Sequence, residues 1–188
     1  MDSPYAVVGL GNPGREYAAT RHNLGYRVAD LLIQRWGGAF TGGRGEYLAA
    51  PARFADRRVI VAKPTTWMNE SGFAVQGLVS FYRIESERLL IVIDDVNLPL
   101  GRLRLRGGGS DGGHRGLEHV IYQLGRDDFP RLRIGIGVQE PPPDLRGYVL
   151  APFRAEENPI VEQSLVEAVE AVETWLDEGL DEAMNRFN

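Results

Sequence analysis

Apolar and polar positions alternate in blocks along the chain. Five short runs read as strands: YAVVGL (5–10), VIVA (59–62), LLIVI (89–93), GRLRLR (101–106) and LRIGIG (132–137). Several are apolar on both alternating faces, which suits strands covered from two sides. Between them the period lengthens to that of a helix. Residues 24–36 place Val28, Leu31, Leu32 and Trp36 on one face. Residues 71–83 start at Ser71 and run through Val75, Leu78, Val79 and Tyr82, and residues 116–124 group Leu117, Val120, Ile121 and Leu124. Over 157–187 the apolar positions Val161, Leu165, Val169, Val172, Leu176 and Leu180 recur at helical spacing, with acids opposite. Strands alternating with helices predict an α/β fold: a mixed, mostly parallel, twisted sheet flanked by helices. No internal repeat is visible. PPPD (141–144) reads as a rigid surface turn and not as a linker. Residues 1–188 are therefore expected to form a single domain.

Composition narrows the class. A chain of 188 residues can bury a substantial core without cross-links. It has no cysteine, which excludes disulfides, thiolate metal sites and a cysteine nucleophile, and fits a reducing cytosol. MDSPYAVVGL lacks a basic segment ahead of an apolar one, so it does not read as a signal peptide. No apolar run approaches the roughly 20 residues of a membrane helix. A cytoplasmic protein with no membrane partner is expected. The net charge of −5 argues against nucleic acid as a default partner. Charge is segregated, however. Acids crowd 157–182, whereas GRLRLR carries only arginines, so a basic patch on an acidic body remains open.

VVGLGNPG (7–14) spells G-x-G-x-x-G after a strand. In a dinucleotide site the helix opens inside that loop and its N-terminus faces the pyrophosphate. Here Pro13 interrupts the motif and the polar stretch REYAATRHN follows, so the helix starts about ten residues late. Asp30 has the spacing of a ribose ligand but falls mid-helix. The glycines are expected to turn the chain sharply and deliver Asn12 to a strand end. The second cluster, GGGSDGGHRG (107–116), lacks the G-K-[ST] ending of a P-loop.

Polar residues share one placement. Asn12 and His22 follow the first strand, Asn69 follows VIVA, Asp94 ends LLIVI, and His114 precedes a helix. Groups beyond the carboxyl ends of strands in an open α/β sheet converge on one crevice. A histidine beside a carboxylate supports general-base chemistry, and amides can hold a carbonyl or an oxyanion. There is no G-x-S-x-G nucleophile elbow, which leaves attack by an activated water. A metal set would draw on His22, His114, His119 and Asp94, but His114 and His119 are five apart, not four.

The motifs GLGNPGREYAATRHNLG (9–25), KPTTWMNESG (63–72), DDVNLPLGRLRLRGGGSDGGHRGL (94–117) and RLRIGIG (131–137) resemble those of bacterial peptidyl-tRNA hydrolases. They occur in family order along the whole chain. The resemblance implies a metal- and cofactor-free α/β monomer. Such an enzyme cleaves the ester between a peptide and the 3′-terminal ribose of tRNA, and engages the acceptor stem and CCA end. It implies His22 as base, Asp94 as its orienting carboxylate, and Asn12 and Asn69 as catalytic amides. Tyr17, Asn23, Met68, Gly112, His114 and Arg115 match substrate-binding positions. Arg104, Arg106 and Arg133 match a clamp for tRNA phosphate, a role suited to the arginine fork. One position departs: the family reads G-G-H-N-G, and Arg115 stands where the asparagine is expected. A branch with this fold binds RNA without hydrolysis, which gives the alternative reading.

Overall fold

The computed structural model describes residues 3–138, 140 and 142–188, so Pro141, the first residue of the PPPD turn, lies outside the described residues. Seven strands form one sheet: β1 (Tyr5–Gly9), β2 (Thr41–Gly42), β3 (Tyr47–Phe54), β4 (Arg57–Pro64), β5 (Leu89–Pro99), β6 (Leu103–Arg106) and β7 (Arg131–Gly137), in the order β2-β3-β4-β1-β5-β7-β6. The central four, β4-β1-β5-β7, run parallel. The β2-β3 pair and β6 add antiparallel edges. The helices are α1 (Leu24–Trp36), α2 (Ser71–Tyr82), α3 (Arg115–Leu124), α4 (Leu145–Val149), α5 (Asn158–Glu178) and α6 (Leu180–Phe187).

The pleat divides the core into two layers. Val7, Val59, Val61, Leu90 and Val92 point to one face, against Leu24, Val28 and Leu32 of α1 and Leu165, Val169 and Val172 of α5. Ala6, Val8, Ile60, Leu89, Ile91 and Ile93 point to the other, against Val75 and Leu78 of α2 and Leu117 and Val120 of α3. The continuous apolar runs thus belong to strands buried on both faces.

Three elements differ from the sequence expectation. β3 (YLAAPARF) is hidden by its alanines and Pro51, residues poor in β-propensity, yet it pairs along its length with β4. The expected helix over 157–187 is broken at Gly179, whose φ of 93° separates α5 from α6. β5 continues past LLIVI to Pro99, with a register shift between Asp95 and Pro99, so Asp94 lies within the strand.

The first glycine loop serves packing. A Cβ on Gly9 would lie 1.9 Å from the Gly25 carbonyl oxygen, and one on Gly25 would lie 2.4 Å from that of Val92. Two glycines therefore let α1 sit directly on β1. The polar stretch between them forms two 3-10 turns, Arg15–Tyr17 and Arg21–Asn23. The second turn brings His22 over the carboxyl end of the sheet. From β1 the chain places β4 on one side and β5 on the other, so the crevice beside β1 is the topological switch point.

Candidate active site

A cleft of about 570 Å³ opens at that point. Asn12, Tyr17, His22, Met68, Asn69, Asp94, Gly112, His114 and Arg115 all line it. Nine positions named from sequence thus converge from four separate segments, 12–22, 68–69, 94 and 112–115.

At its floor one carboxylate holds two histidines. His22 Nδ1 lies 2.9 Å and 3.0 Å from the two Asp94 oxygens, and His114 Nε2 lies 3.1 Å from Asp94 Oδ1. The tautomers follow from the remaining bonds. His114 Nδ1 accepts the Leu117 N–H at 3.1 Å as the N-cap of α3, so its proton sits on Nε2 and is donated to Asp94. His22 donates from Nδ1, which leaves the Nε2 lone pair free to take a proton. Burial favours neutral His22, but the charge of Asp94 and its hydrogen bond outweigh that, and the pKa is raised above 6.5. Burial would push the Asp94 carboxyl up. The two histidines reverse this and hold it well below the ordinary carboxylate range.

The amide of Asn12 is fixed in orientation. Its Oδ1 accepts the Met68 N–H at 2.8 Å, so Nδ2 is the end left for a ligand. Asn23 departs from its expected place. It is 1% exposed and bonds the Asn12 backbone at both ends of its amide, so it braces the cleft from behind rather than lining it. Asn69, in a 3-10 turn ahead of α2, is exposed, and among the described residues its side chain has no hydrogen-bond partner. Met68 is buried, and its sulfur lies 2.5 Å from where a Cβ on Gly116 would stand.

Sequence reasoning missed one wall. Trp67 packs edge-on against Tyr17 with ring centroids 5.8 Å apart, and Leu145, Arg146, Val149 and Leu150 face them from α4 and its end. The signal for Trp67 was its place inside the WMN motif. Helix α4, of five residues, has no periodicity to read. It is anchored through Arg21, the neighbour of His22. The Arg21 guanidinium is buried with Glu157 at 2.8 Å, bonds the Pro152 carbonyl at 2.8 Å and stacks 4.2 Å from the Tyr148 ring.

The glycine loop 107–114 lies over the polar face of β7. Arg131 donates to the carbonyls of Gly109, Asp127 and Phe129. Arg133 donates to Asp95 at 3.2 Å and to the Ser110 carbonyl at 2.7 Å. Arg133 is only 9% exposed, and its guanidinium is occupied by the protein, so it is not an open phosphate ligand in this conformation. Arg104, paired in register with Arg133, and Arg106, paired with Arg131, stand exposed on β6.

The His22, Asp94 and His114 ligand atoms lie within 4.8 Å of one another, a set able to hold a metal ion. His119, the fourth residue of the sequence-level metal set, lies apart. It accepts the Gly72 N–H at 3.0 Å and joins α3 to α2.

A family model described as peptidyl-tRNA hydrolase matches residues 6–188. The peptidyl-tRNA hydrolase of Synechococcus sp. (strain JA-2-3B'a(2-13)) is 48% identical over 97% of this chain and 82% of its own length. That of Alkaliphilus metalliredigens is 45% identical over 98% and 99%. The crystal structure of peptidyl-tRNA hydrolase from Acinetobacter baumannii superposes with a TM-score of 0.93 at 32% identity, covering 100% of this chain and 96% of that one. Uridine phosphorylase from Vibrio fischeri, 12% identical with a TM-score of 0.56, shares the fold alone. The chain belongs to the peptidyl-tRNA hydrolase family.

Proposed function

We propose that this chain hydrolyses the ester joining a peptide to the 3′-terminal ribose of tRNA, with His22 as general base. The observation that carries the reading is the hydrogen-bonded chain His22–Asp94–His114 beside the oriented amide of Asn12. His22 Nε2 takes a proton from water, and the resulting hydroxide attacks the ester carbonyl. Asn12 Nδ2 and the Asn69 amide donate to the carbonyl oxygen as it gains charge. When the tetrahedral intermediate collapses, the ribose oxygen leaves and takes the proton from His22. The products are a free peptide carboxyl group and tRNA with its ribose hydroxyl restored.

Asp94 keeps the reactive nitrogen correct in tautomer and direction. Tyr17, Met68, Gly112, His114 and Arg115 form the substrate walls. Arg104 and Arg106 offer exposed cations for acceptor-stem phosphates, with Arg133 beneath the loop. We read residues 1–188 as one domain, since all seven strands join one sheet. We also read it as a monomer, since the cleft is complete within one chain. The substrate is made where translation runs, which supports a cytoplasmic location. Among the described residues no helix is long and apolar enough to cross a membrane.

The test is hydrolysis of N-acetyl-aminoacyl-tRNA, in EDTA, by the protein and by His22→Ala. Turnover by the parent alone supports the reading. Binding of tRNA without turnover by either would favour the RNA-binding alternative.

A further inference from the structure

Two arginines that line the cleft, from α3 and from α4, are not used by the chemistry above. Arg115 is the first residue of α3, and Arg146 is the second residue of α4. Both line the cleft and both are exposed. Among the described residues neither guanidinium makes a salt bridge or a hydrogen bond. The carboxylates of the same lining behave differently. Asp94 and Asp95 are buried, the first held by His22 and His114, the second by Arg133 and the Asn97 N–H. The cleft therefore shows its ligand two cations and no free anion, on a chain whose net charge is −5.

We infer that Arg115 and Arg146 bind the phosphodiesters of the single-stranded 3′ end of tRNA as it enters the cleft. The inference rests on the function proposed above. Guanidinium forks suit phosphate oxygens, which each nucleotide supplies whatever peptide is attached. Acidic side chains of the peptide would meet these arginines only in some substrates. A phosphodiester is present in all of them, so two unpaired cations in the cleft meet an anion that every substrate carries.

The test is a salt series of tRNA affinity for the parent, Arg115→Gln, Arg146→Gln and the double variant. One ligand is deacylated tRNA with its complete 3′ end. The other is the same tRNA trimmed of its unpaired 3′ nucleotides. On the complete tRNA, the slope of log affinity against log salt should shrink by about 0.7 in each single variant and about 1.4 in the double. The dissociation constant at low salt should rise about 5-fold per lost contact, as for an exposed charge-assisted bond. On the trimmed tRNA the four proteins should share one slope. Unchanged slopes on the complete tRNA overturn the inference, and so does a loss that persists on the trimmed one. An effect confined to the KM of substrates with acidic peptides overturns it in favour of peptide recognition. Affinity is read without turnover, so a protein that fails to hydrolyse ester would count against the proposed function and not against these arginines.

Discussion

Asn23 grips Asn12 by both ends of one amide. Its Oδ1 accepts the Asn12 N–H at 2.9 Å, and its Nδ2 donates to the Asn12 carbonyl at 2.9 Å. The bonds tie the turn that bears His22 to the loop that bears Asn12, so the proposed base and the proposed oxyanion donor move as one piece. Asn23→Ala should leave two buried backbone groups unpaired and cost about 2–4 kcal/mol of stability. It should also lower kcat more than it raises KM, because Asn23 is buried behind the cleft and not among its lining. Urea unfolding with steady-state kinetics on the same preparation checks both. A variant with full kcat would remove the brace.

The pH profile follows from the shared carboxylate. With His22 as the proposed base, its neutral form is the active one, and its pKa is raised above 6.5, so kcat/KM should rise with pH through a midpoint above 6.5. Asp94→Asn removes the raising influence and leaves burial, which lowers the pKa. The midpoint should move below 6.5 while the plateau drops about 10²–10⁴-fold. The stability signs are opposite for the two groups. The raised His22 contributes stability that is complete below 6.5 and lost as pH climbs through its raised value. The depressed Asp94 contributes stability that is complete above its ordinary 3.8 and lost as pH falls toward the depressed value. Parallel profiles for parent and Asp94→Asn would break the pairing.

Most of the parallel sheet was legible because its strands are buried on both faces, and an uninterrupted run such as LLIVI has few other uses. The first three long helices, α1 to α3, were legible from their period. The site was legible where a polar residue follows a strand, as with Asn12, or lies just inside its carboxyl end, as with Asp94. Other features had no local signature. Arg133 and Arg106 look alike in sequence, and only the course of the glycine loop decides that one is covered and the other exposed. Asn23 adjoins His22 in the chain, but the 3-10 turn points the two side chains apart. His119 stands five residues from His114, a spacing that counts against a shared metal, but only the packing of α2 on α3 shows that it takes the Gly72 N–H.

Gly25→Ala tests the close approach that positions His22, the proposed base. The added Cβ would meet the Val92 carbonyl at 2.4 Å and Leu10 N at 2.5 Å, all backbone, so α1 must lift from the sheet. Overpacking of this kind costs about 1–3 kcal/mol, and rigid backbone neighbours place it at the upper end. Lifting α1 should also draw His22 from Asp94. The melting temperature and the midpoint of the kcat/KM profile should therefore fall together. A lower melting temperature with an unmoved midpoint would separate helix packing from base placement.

Arg104, Arg106 and Arg133 lie on one face of the β6–β7 edge, yet they should respond differently to salt. Arg104 and Arg106 are open to solvent, and each neutral replacement by glutamine should shrink the salt slope of tRNA affinity by about 0.9. Arg133 is enclosed by Asp95 and the carbonyls of Ser110 and Asp111. Arg133→Met would strand the buried Asp95 and release the loop that carries Gly112 and His114. Breaking such a pair costs about 3 kcal/mol or more. The expected result is lower stability and faster amide exchange across 107–114, with the salt slope of the parent. The family resemblance implies a different outcome, in which Arg133 joins Arg106 on a phosphate. That would require the guanidinium to leave Asp95 and the loop as tRNA binds, and the slope would then fall by one contact's worth. The salt series therefore decides whether Arg133 fastens the loop in the complex as it does in the free protein, or exchanges the loop for phosphate.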